Sequence, residues 1–371
     1  MIIRKATSAD IPDILNIYDH ARALMRREGN DCQWINGYPS KELVVNDIAQ
    51  GVSYMVMDND VPAGIFTLIV GRDPTYEYIE GGTWLHDDRP YATIHRMGRA
   101  AGKHGIFRTA LDWCCRNVTS LRIDTHEKNR TMRTLVEHYG FSQRGTIYIS
   151  DGSPRIAYQL FNTRTICESL KDYIETEILP RYDHFDSAHQ RNHANTVIAN
   201  SMQLATHYDV DINLVYTIAA YHDTGLIDGR ERHHILSGEI IRNDPRLRQW
   251  FSEEQIKTMS DAAEDHRASA GHEPRTIYGM IVAEADRDIE PSRIIRRTVE
   301  FGLSNYPDLD KQQQWLRTIS HLDEKYGTNG YLKLFLPESQ NATNLQKLRE
   351  IISDRSQLRI IFEQLYKELK K

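Results

Sequence analysis

The local sequence pattern changes near residue 162, and this change limits most strongly which folds the chain can adopt. Before it, short runs of branched apolar residues alternate with amphipathic stretches, an order typical of α+β or mixed α/β domains. After it, one helical pattern follows another. A chain of 371 residues also exceeds the usual size of a single core. We therefore predict two domains, 1–164 with strands and helices and 165–371 with helices alone.

The composition is that of a soluble globular protein, with 40% hydrophobic and 26% charged residues. No apolar run approaches the roughly 20 residues that cross a bilayer, and the opening MIIRKATSAD has no signal-peptide core. The four cysteines form no C-x-x-C pair and no disulfide framework. The net charge of −6 gives no support for a nucleic-acid surface. We expect a cytoplasmic protein without membrane or nucleic-acid partners, and the oligomeric state stays open.

Individual elements follow from the periodicity of the apolar residues. In the first half, helices are predicted at 11–27, 106–115 and 131–138, and strands at 52–57, 65–70, 91–95, 121–124 and 156–161. In the second half, helices are predicted at 166–178, 195–206, 214–221, 235–242, 253–265, 278–286, 294–302 and, as one helix or two, 345–369.

A glycine-containing turn links the strand at 91–95 to the helix that starts at Ile106. Gly102 and Gly105 lie in this turn. A helix N-terminus presents free N–H groups and the positive end of the helix dipole, which suits a pyrophosphate, and glycine lets the backbone approach the ligand. An ordinary strand-to-helix connection has the same pattern, so the turn alone is weak evidence.

The order of elements around this turn is more specific. A strand ends at Asp124, a helix starts near Asn129, and Gly140-Phe141 precede a further strand. This order resembles the GNAT superfamily of N-acetyltransferases over roughly 1–162. The resemblance implies an α+β fold with a mixed, mostly antiparallel central sheet and flanking helices, acetyl-CoA as cosubstrate and an unknown amine as acceptor. The implied cofactor-binding residues are Arg99, Gly102, Lys103, His104, Gly105, Ile106, Phe107 and Asn129.

Two departures from the family pattern bear on catalysis. Arg99 and Gly102 fit the phosphate motif, but His104 occupies its last position. The family often has a general-acid Tyr four residues before the Gly-Phe pair, and here that residue is Val136. Tyr139 and Tyr148 are substitutes only if their hydroxyls point to the site. Acetyl-CoA binding without turnover, as a sensor of a neighbouring domain, is therefore the alternative hypothesis.

His95 is the candidate catalytic base of this half, because imidazole exchanges protons near neutrality. Its alternative role is that of a packed strand residue. Trp34, Trp84 and Tyr91 are candidates for an acceptor pocket, with burial in the core as the alternative.

The second half contains His193, the pair His222-Asp223, and Asp286, which supply nitrogen and oxygen ligands for a divalent transition metal. An unpaired Asp286 on an apolar helix is costly to bury, and a metal or an ion pair with Arg287 would offset that cost. The order of these residues resembles the HD superfamily of metal-dependent phosphohydrolases, which implies an all-α domain.

Two more histidines extend this resemblance. His234 lies four residues before Gly238, in the register of an H-x-x-x-G segment, and His266 stands between Asp265 and Arg267. With both as ligands the site holds two ions, and with neither it holds one. The ligand types suit Mn, Fe, Co, Ni or Zn. His189, predicted four residues from His193 on the same helix, would face the substrate or support the ligands.

The implied reaction is hydrolysis of a small phosphorylated substrate, an ester or anhydride and most plausibly a nucleotide. Asp228 is a candidate for proton transfer and Arg267 for contact with the phosphate. The leading hypothesis is a bifunctional protein, an acetyltransferase joined to a phosphohydrolase. A degenerate domain that only binds other proteins is the third option, and the complete ligand set argues against it.

Overall fold

A computed structural model describes residues 1–185, 189–267 and 272–370. It divides into two compact units, one of Met1–Tyr173 with Asp244–Ile256 and the other of Ile174–Asn243 with Lys257–Lys371. The domain boundary after residue 164 stays a prediction.

The first unit is built on a seven-stranded sheet in the order β1-β2-β3-β4-β5-β7-β6. All neighbouring strands are antiparallel except β4 and β5, which are parallel. The mixed, mostly antiparallel sheet is thereby confirmed. The strands are β1 (Ile2–Lys5), β2 (Ser53–Asp58), β3 (Val61–Val70), β4 (Ala92–Arg99), β5 (Ser120–Thr125), β6 (Ser142–Tyr148) and β7 (Pro154–Phe161).

The helices of this unit are α1 (Ile11–Arg27), α2 (Lys41–Ala49), α3 (Ile106–Asn117), α4 (Arg130–Tyr139) and α5 (Glu168–Tyr173). Local chemistry fixes their ends. Gly105 precedes α3 with a φ of 76°, a left-handed conformation that glycine adopts without strain. Asn129 accepts a hydrogen bond from the Met132 amide at the start of α4, and Gly140 ends that helix. Buried apolar side chains of α3 and α4 pack with those of β4 and β5 in one core cluster.

The two parallel strands separate towards their carboxyl ends. Pairing of β4 with β5 stops at Ile94 and Ile123, although β4 continues to Arg99 and β5 to Thr125. A cavity of about 450 Å³ is lined by residues of both strand ends. The backbone groups freed by this separation are available to a ligand.

The second half of the chain is helical, which confirms the predicted all-α class, and no strand occurs among its described residues after Phe161. A π-helical turn follows α5 at Ile174–Ile178, and a 3-10 turn occupies Thr224–Asp228. The helices are α6 (Arg191–Ala205), α7 (Ile212–Tyr221), α8 (His233–Asn243), α9 (Glu253–Asp265), α10 (Ile277–Asp286), α11 (Pro291–Asn305), α12 (Lys311–Tyr326), α13 (Gln340–Ser353) and α14 (Arg355–Leu369).

The last four helices, α11 to α14, share a separate apolar core around Trp315, Leu322 and Phe362. Over the ranges that the structure describes, every helix is too short or too polar to traverse a bilayer.

Candidate functional site

The ends of α6, α7 and α10 bring together a first group of potential metal ligands. His193 lies in the first turn of α6, His222 follows the last residue of α7, and Asp286 ends α10. Nε2 of His193 is 3.1 Å from Oδ1 of Asp286 and 3.3 Å from Nε2 of His222. These three side chains therefore present their ligand atoms to one point.

A second group lies beside the first and consists of Asp223, His233 and His266. His233 is the first residue of α8, and His266 directly follows α9. Oδ1 of Asp223 is 3.4 Å from Nε2 of each histidine, and the two nitrogens are 3.2 Å apart.

Asp223 belongs to both groups through its two oxygens. Its Oδ2 lies 3.3 Å from Nε2 of His222 and 3.5 Å from Nε2 of His193, on the side of the first group. Its Oδ1 faces the second group. The carboxylate therefore lies between the two groups and would supply a ligand to a metal held in either of them.

Backbone carbonyls fix the tautomers of three of these histidines. Nδ1 of His222, His233 and His266 lies 2.8, 2.8 and 2.6 Å from the carbonyl oxygens of Ala219, Arg230 and Ala263, respectively. A carbonyl only accepts, so each Nδ1 carries the proton and each Nε2 keeps its lone pair for a ligand.

The distances between these nitrogens fit ligands that share an ion. The lone pairs of His233 and His266 face each other at 3.2 Å and repel each other when nothing lies between them. Two nitrogens that are ~2.1 Å from one ion at a tetrahedral angle lie roughly 3.4 Å apart. The donor set therefore fits a divalent metal in each group.

The charges of the site match this arrangement. Burial raises the pKa of Asp223, but the surrounding imidazoles of His222, His193 and His266 outweigh burial and hold the pKa well below its usual range. Hydrogen bonds to Asp223 and Asp286 raise the pKa of His193 to about 9. The carboxylates are thus ionised and ready to accept cations.

The H-x-x-x-G pattern that selected His234 in the sequence does not agree with this geometry. His233 occupies the second group, and His234 lies beside it with an Nδ1 that has no hydrogen-bond partner among the described residues. Adjacent helical residues point about 100° apart, so only one of the two can face Asp223. Gly225 explains which one: a Cβ there would lie 2.0 Å from the carbonyl oxygen of His233, so glycine permits α8 to start close to the turn that follows Asp223.

The other predicted residues of this half are less central. Asp228 is exposed at the end of its 3-10 turn and lines a small cavity of about 100 Å³ with Arg232 and Glu239. Arg267 donates to the carbonyl of Glu231 at 2.5 Å, next in the chain to His266.

Arg287 and His189, two residues near the ligands, have local contacts of their own. Arg287 donates to the carbonyl of Lys333, so the structure does not use it as an ion-pair partner of Asp286. His189 precedes α6 instead of lying on it, because the helix begins at Arg191, and its Nδ1 is 3.3 Å from Arg230.

The glycine-containing turn before α3 has the local geometry that the sequence predicts. Gly102 and Gly105 have φ values of 70° and 76°, and no side chain caps α3. The first N–H groups of a helix have no intrahelical partner, so they are available to an anion. Around them, Arg99 donates to the Lys103 carbonyl, and Lys103 forms an ion pair of 2.8 Å with Asp58.

Three further predicted cofactor residues have different surroundings. His104 is exposed, Ile106 is buried in the core, and Phe107 packs against that core. Asn129 caps α4 and donates to Gln33 at 3.0 Å, so its amide is used within the fold.

His95 lines the 450 Å³ cavity and contacts a carboxylate that the sequence analysis did not select. Its Nε2 lies 2.7 Å from Oδ2 of Asp73. Burial raises the pKa of Asp73, but the hydrogen bond and charge of His95 outweigh it and leave the pKa below its usual value. An ionised Asp73 only accepts, so Nε2 carries the proton and Nδ1 of a neutral His95 is free to act as base. Asp73 lies in a loop 22 residues earlier, where no local pattern marks it.

The aromatic candidates divide between pocket and core. Trp34 lines the cavity, whereas Trp84 and Tyr91 are buried and enclose the guanidinium of Arg122 at 4.1 and 3.7 Å from their ring centroids. Tyr139 donates to Asp112, exposed Tyr148 donates to Glu80, and Val136 is buried. Neither tyrosine lines the cavity in the described part of the chain.

Comparison with known proteins gives matches to both an HD domain and GNAT acetyltransferases. The model of the HD domain matches residues 191–288. A GNAT-family acetyltransferase from Streptococcus agalactiae shares 31% identity over 43% of this chain and 94% of that chain, with a TM-score of 0.41. A ribosomal-protein-alanine N-acetyltransferase from Brucella melitensis shares 20% over 43% and 99%, with a TM-score of 0.30.

A predicted HD superfamily hydrolase from an uncultured Thermotogales bacterium shares 18% identity over 41% of this chain and 83% of that chain, with a TM-score of 0.29. The search of curated proteins gave no match.

Fold and site together define a protein that joins an acyltransferase domain to a metal-binding hydrolase domain. The N-terminal part of the chain is similar to GNAT-family acetyltransferases, and residues 191–288 match the HD domain. GNAT enzymes use acetyl-CoA, and HD domains bind divalent metals.

Proposed function

We propose that the protein is bifunctional, an acetyl-CoA-dependent N-acetyltransferase within 1–164 and a metal-dependent phosphohydrolase within 165–371. The hydrolase acts on a small phosphate ester or anhydride, with nucleotides as the first class to test. The acceptor of the acetyl group is an amine. Both reactions take place in the cytoplasm.

The position of Asp223 between two ligand groups carries the hydrolase proposal. His193, His222 and Asp286 would hold one ion, and His233 and His266 the other, with Asp223 shared between them. Divalent ions at these positions lower the pKa of bound water and polarise a phosphoryl oxygen. The nitrogen and oxygen donors suit Mn, Fe, Co, Ni or Zn. Arg267, adjacent to His266, is the proposed phosphate contact, and Asp228 the proposed proton-transfer group.

Elemental analysis followed by a phosphatase screen tests this proposal. The purified chain should contain two divalent ions and release phosphate from at least one nucleotide. Asp223→Asn should remove most of the metal and all of the hydrolysis, whereas Asp308→Asn, an exposed change of equal charge outside both groups, should remove neither. Full metal content in the Asp223 variant would refute the assignment.

The turn before α3 carries the acetyl-CoA proposal. Its unpaired N–H groups and glycines would hold the pyrophosphate, and the separation of β4 from β5 leaves room for the rest of the molecule. Gly105→Glu should abolish acetyl-CoA binding in calorimetry, because it adds a negative charge where the pyrophosphate lies. Gly81→Glu is the matched control: its φ is 69°, and open space surrounds the position. Equal affinity in both variants would refute the site.

His95 is the proposed base of acetyl transfer. Its Nδ1 would take the proton of the amine as the nitrogen attacks the acetyl carbonyl, and the CoA thiolate would leave. His95→Gln should therefore lower thiol release by about 10² or more while acetyl-CoA still binds.

A second candidate function is acetyl-CoA sensing without turnover. The buried Val136 favours it, because the hydroxyl that often protonates the CoA thiolate is missing there. Thiol release with a mixture of amines distinguishes the two functions. Tight acetyl-CoA binding without thiol release would favour the sensor.

A further inference from the structure

Arg155 is a buried cation that forms no ion pair with a described carboxylate. It is 7% exposed, lies at the start of β7 and lines the 450 Å³ cavity that contains His95. Its recorded hydrogen bond is from Nη1 to the carbonyl of Pro154 at 2.9 Å, and no described residue forms an ion pair with it. By contrast, Arg96 in the same cavity donates to both oxygens of Asp47 at 2.8 and 3.0 Å. An unpaired buried guanidinium is costly, so Arg155 lacks an anion.

Arg155 lies on the same face of the sheet as His95. Tyr76 contacts the His95 ring and donates through its hydroxyl to Asp124 on β5. Asp124 pairs with Ala157 on β7, and Arg155 is two residues before Ala157. Residues two apart on a strand share a face. Because β4 and β7 are separated by β5, the backbones of His95 and Arg155 are about 10 Å apart or more.

The remaining charges of the cavity define what kind of ligand fits. Asp73 is paired with His95, while Asp124 accepts from Tyr76 and exposed Asp151 is bonded only to its own turn. The described lining thus offers one buried cation and two carboxylates that form no ion pair, and the charge of Arg155 acts on one of these carboxylates, exposed Asp151. A ligand with one carboxylate and one amine complements this set, whereas a phosphate dianion would meet two acids.

We propose that the acetyl acceptor is an amino acid, or another small molecule with both a primary amine and a carboxylate, and that Arg155 binds its carboxylate. This inference rests on the proposed acetyltransferase function. The planar fork of arginine binds a carboxylate through two hydrogen bonds. The amine then lies towards His95. His95 takes one ammonium proton, the nitrogen forms a bond to the acetyl carbon, the carbon–sulfur bond breaks, and the thiolate takes a proton to give free CoA.

Matched acceptors test the proposal directly. Thiol release from acetyl-CoA is measured with the twenty α-amino acids, with their carboxamides and with the corresponding aminophosphonates. The wild type should prefer acids over amides by at least tenfold in kcat/KM and should accept aminophosphonates poorly. Arg155→Gln should raise KM for the acids at least tenfold, leave kcat within about threefold, and abolish the preference over amides. Arg155→Lys should recover part of it.

The control variant is Arg130→Gln, which removes an exposed arginine outside the cavity lining and should behave as the wild type. The inference would be overturned if the protein acetylated the amides at least as fast as the acids, or if Arg155→Gln acetylated the acids as well as the wild type does. Either result would leave the acetyltransferase proposal intact. A preference for aminophosphonates would overturn it in favour of a phosphorylated acceptor.

A binding measurement keeps the inference testable if thiol release fails and the acetyltransferase proposal falls. Calorimetry with the CoA-bound full chain should then detect binding of amino acids that Arg155→Gln weakens at least tenfold. Absence of amino-acid binding, or equal binding in the variant, would overturn the role of Arg155.

Discussion

Oδ1 of Asp223 lies 3.4 Å from Nε2 of His233, and the H-x-x-x-G pattern of the sequence had selected His234 instead. The neighbouring His234 lies outside both ligand groups of the described chain. We predict that His233→Ala lowers the metal content from two ions per chain to about one, because the second group loses one of its three donors. Metal analysis after dialysis measures this. His234→Ala is the matched control and should keep both ions; loss of metal only in the His234 variant would restore the register-based assignment.

Gly225 should control the second group without contacting metal. A side chain at this position would collide with the His233 carbonyl, and its amide donates to Ser237 at 2.9 Å. Gly225→Ala should displace the start of α8, so that the second ion is bound at least tenfold more weakly and the first is kept. Ile227→Ala, an exposed change in the turn Thr224–Asp228, is the control. Unchanged metal affinity in the Gly225 variant would mean that α8 is not held by this contact.

Asp73 should act on acetyl transfer through His95. Asp73→Asn removes the negative charge that orients the imidazole and stabilises its protonated form. We expect kcat to fall at least tenfold with little change in KM for acetyl-CoA, and the acidic limb of the pH–rate profile, where a base must lose its proton, to move to lower pH. Asp88→Asn, an exposed change of equal charge, is the control. A profile identical to the wild type would show that Asp73 is only structural.

His321 should make the protein less stable in mild acid. Burial and the charges of Lys325 and Arg317 lower its pKa in the folded state. Above about pH 6.5, the unfolded value, the residue is neutral in both states. Below it, the unfolded chain binds the proton more readily, so stability falls. His321→Gln should therefore lose less Tm than the wild type between pH 7.5 and 5.5, since the metal ligands titrate alike in both. An equal or larger loss would contradict the shift.

Much of the fold could be predicted from the sequence because its helices and strands carry strong apolar periodicity. The helices predicted at 11–27 and 253–265 coincide with α1 and α9. The helices α2 (Lys41–Ala49) and α12 (Lys311–Tyr326) were not predicted. The stretch predicted as one helix at 166–178 consists of α5 and a π-helical turn. Periodicity does not show where a helix changes its hydrogen-bond pattern.

The site was predictable where family spacing marks a residue and unpredictable where only packing does. His193, His222 and Asp286 stand at distinctive distances in the chain, and the structure brings them together. The choice of His233 over His234 depends on the contact of Gly225 with α8. Arg155 gives no local signal at all, because its lack of a partner is a property of the folded cavity.

The proposed function requires that one chain carries two separate chemistries. Phosphate release and thiol release should be measured on the same full-length protein before and after chelation of its metal, and in Asp223→Asn and Gly105→Glu. We predict that chelation and Asp223→Asn abolish phosphate release but leave thiol release within a few-fold, and that Gly105→Glu does the reverse. Loss of phosphate release in the folded, metal-loaded Gly105 variant would contradict the claim and favour an acetyl-CoA sensor that controls the hydrolase.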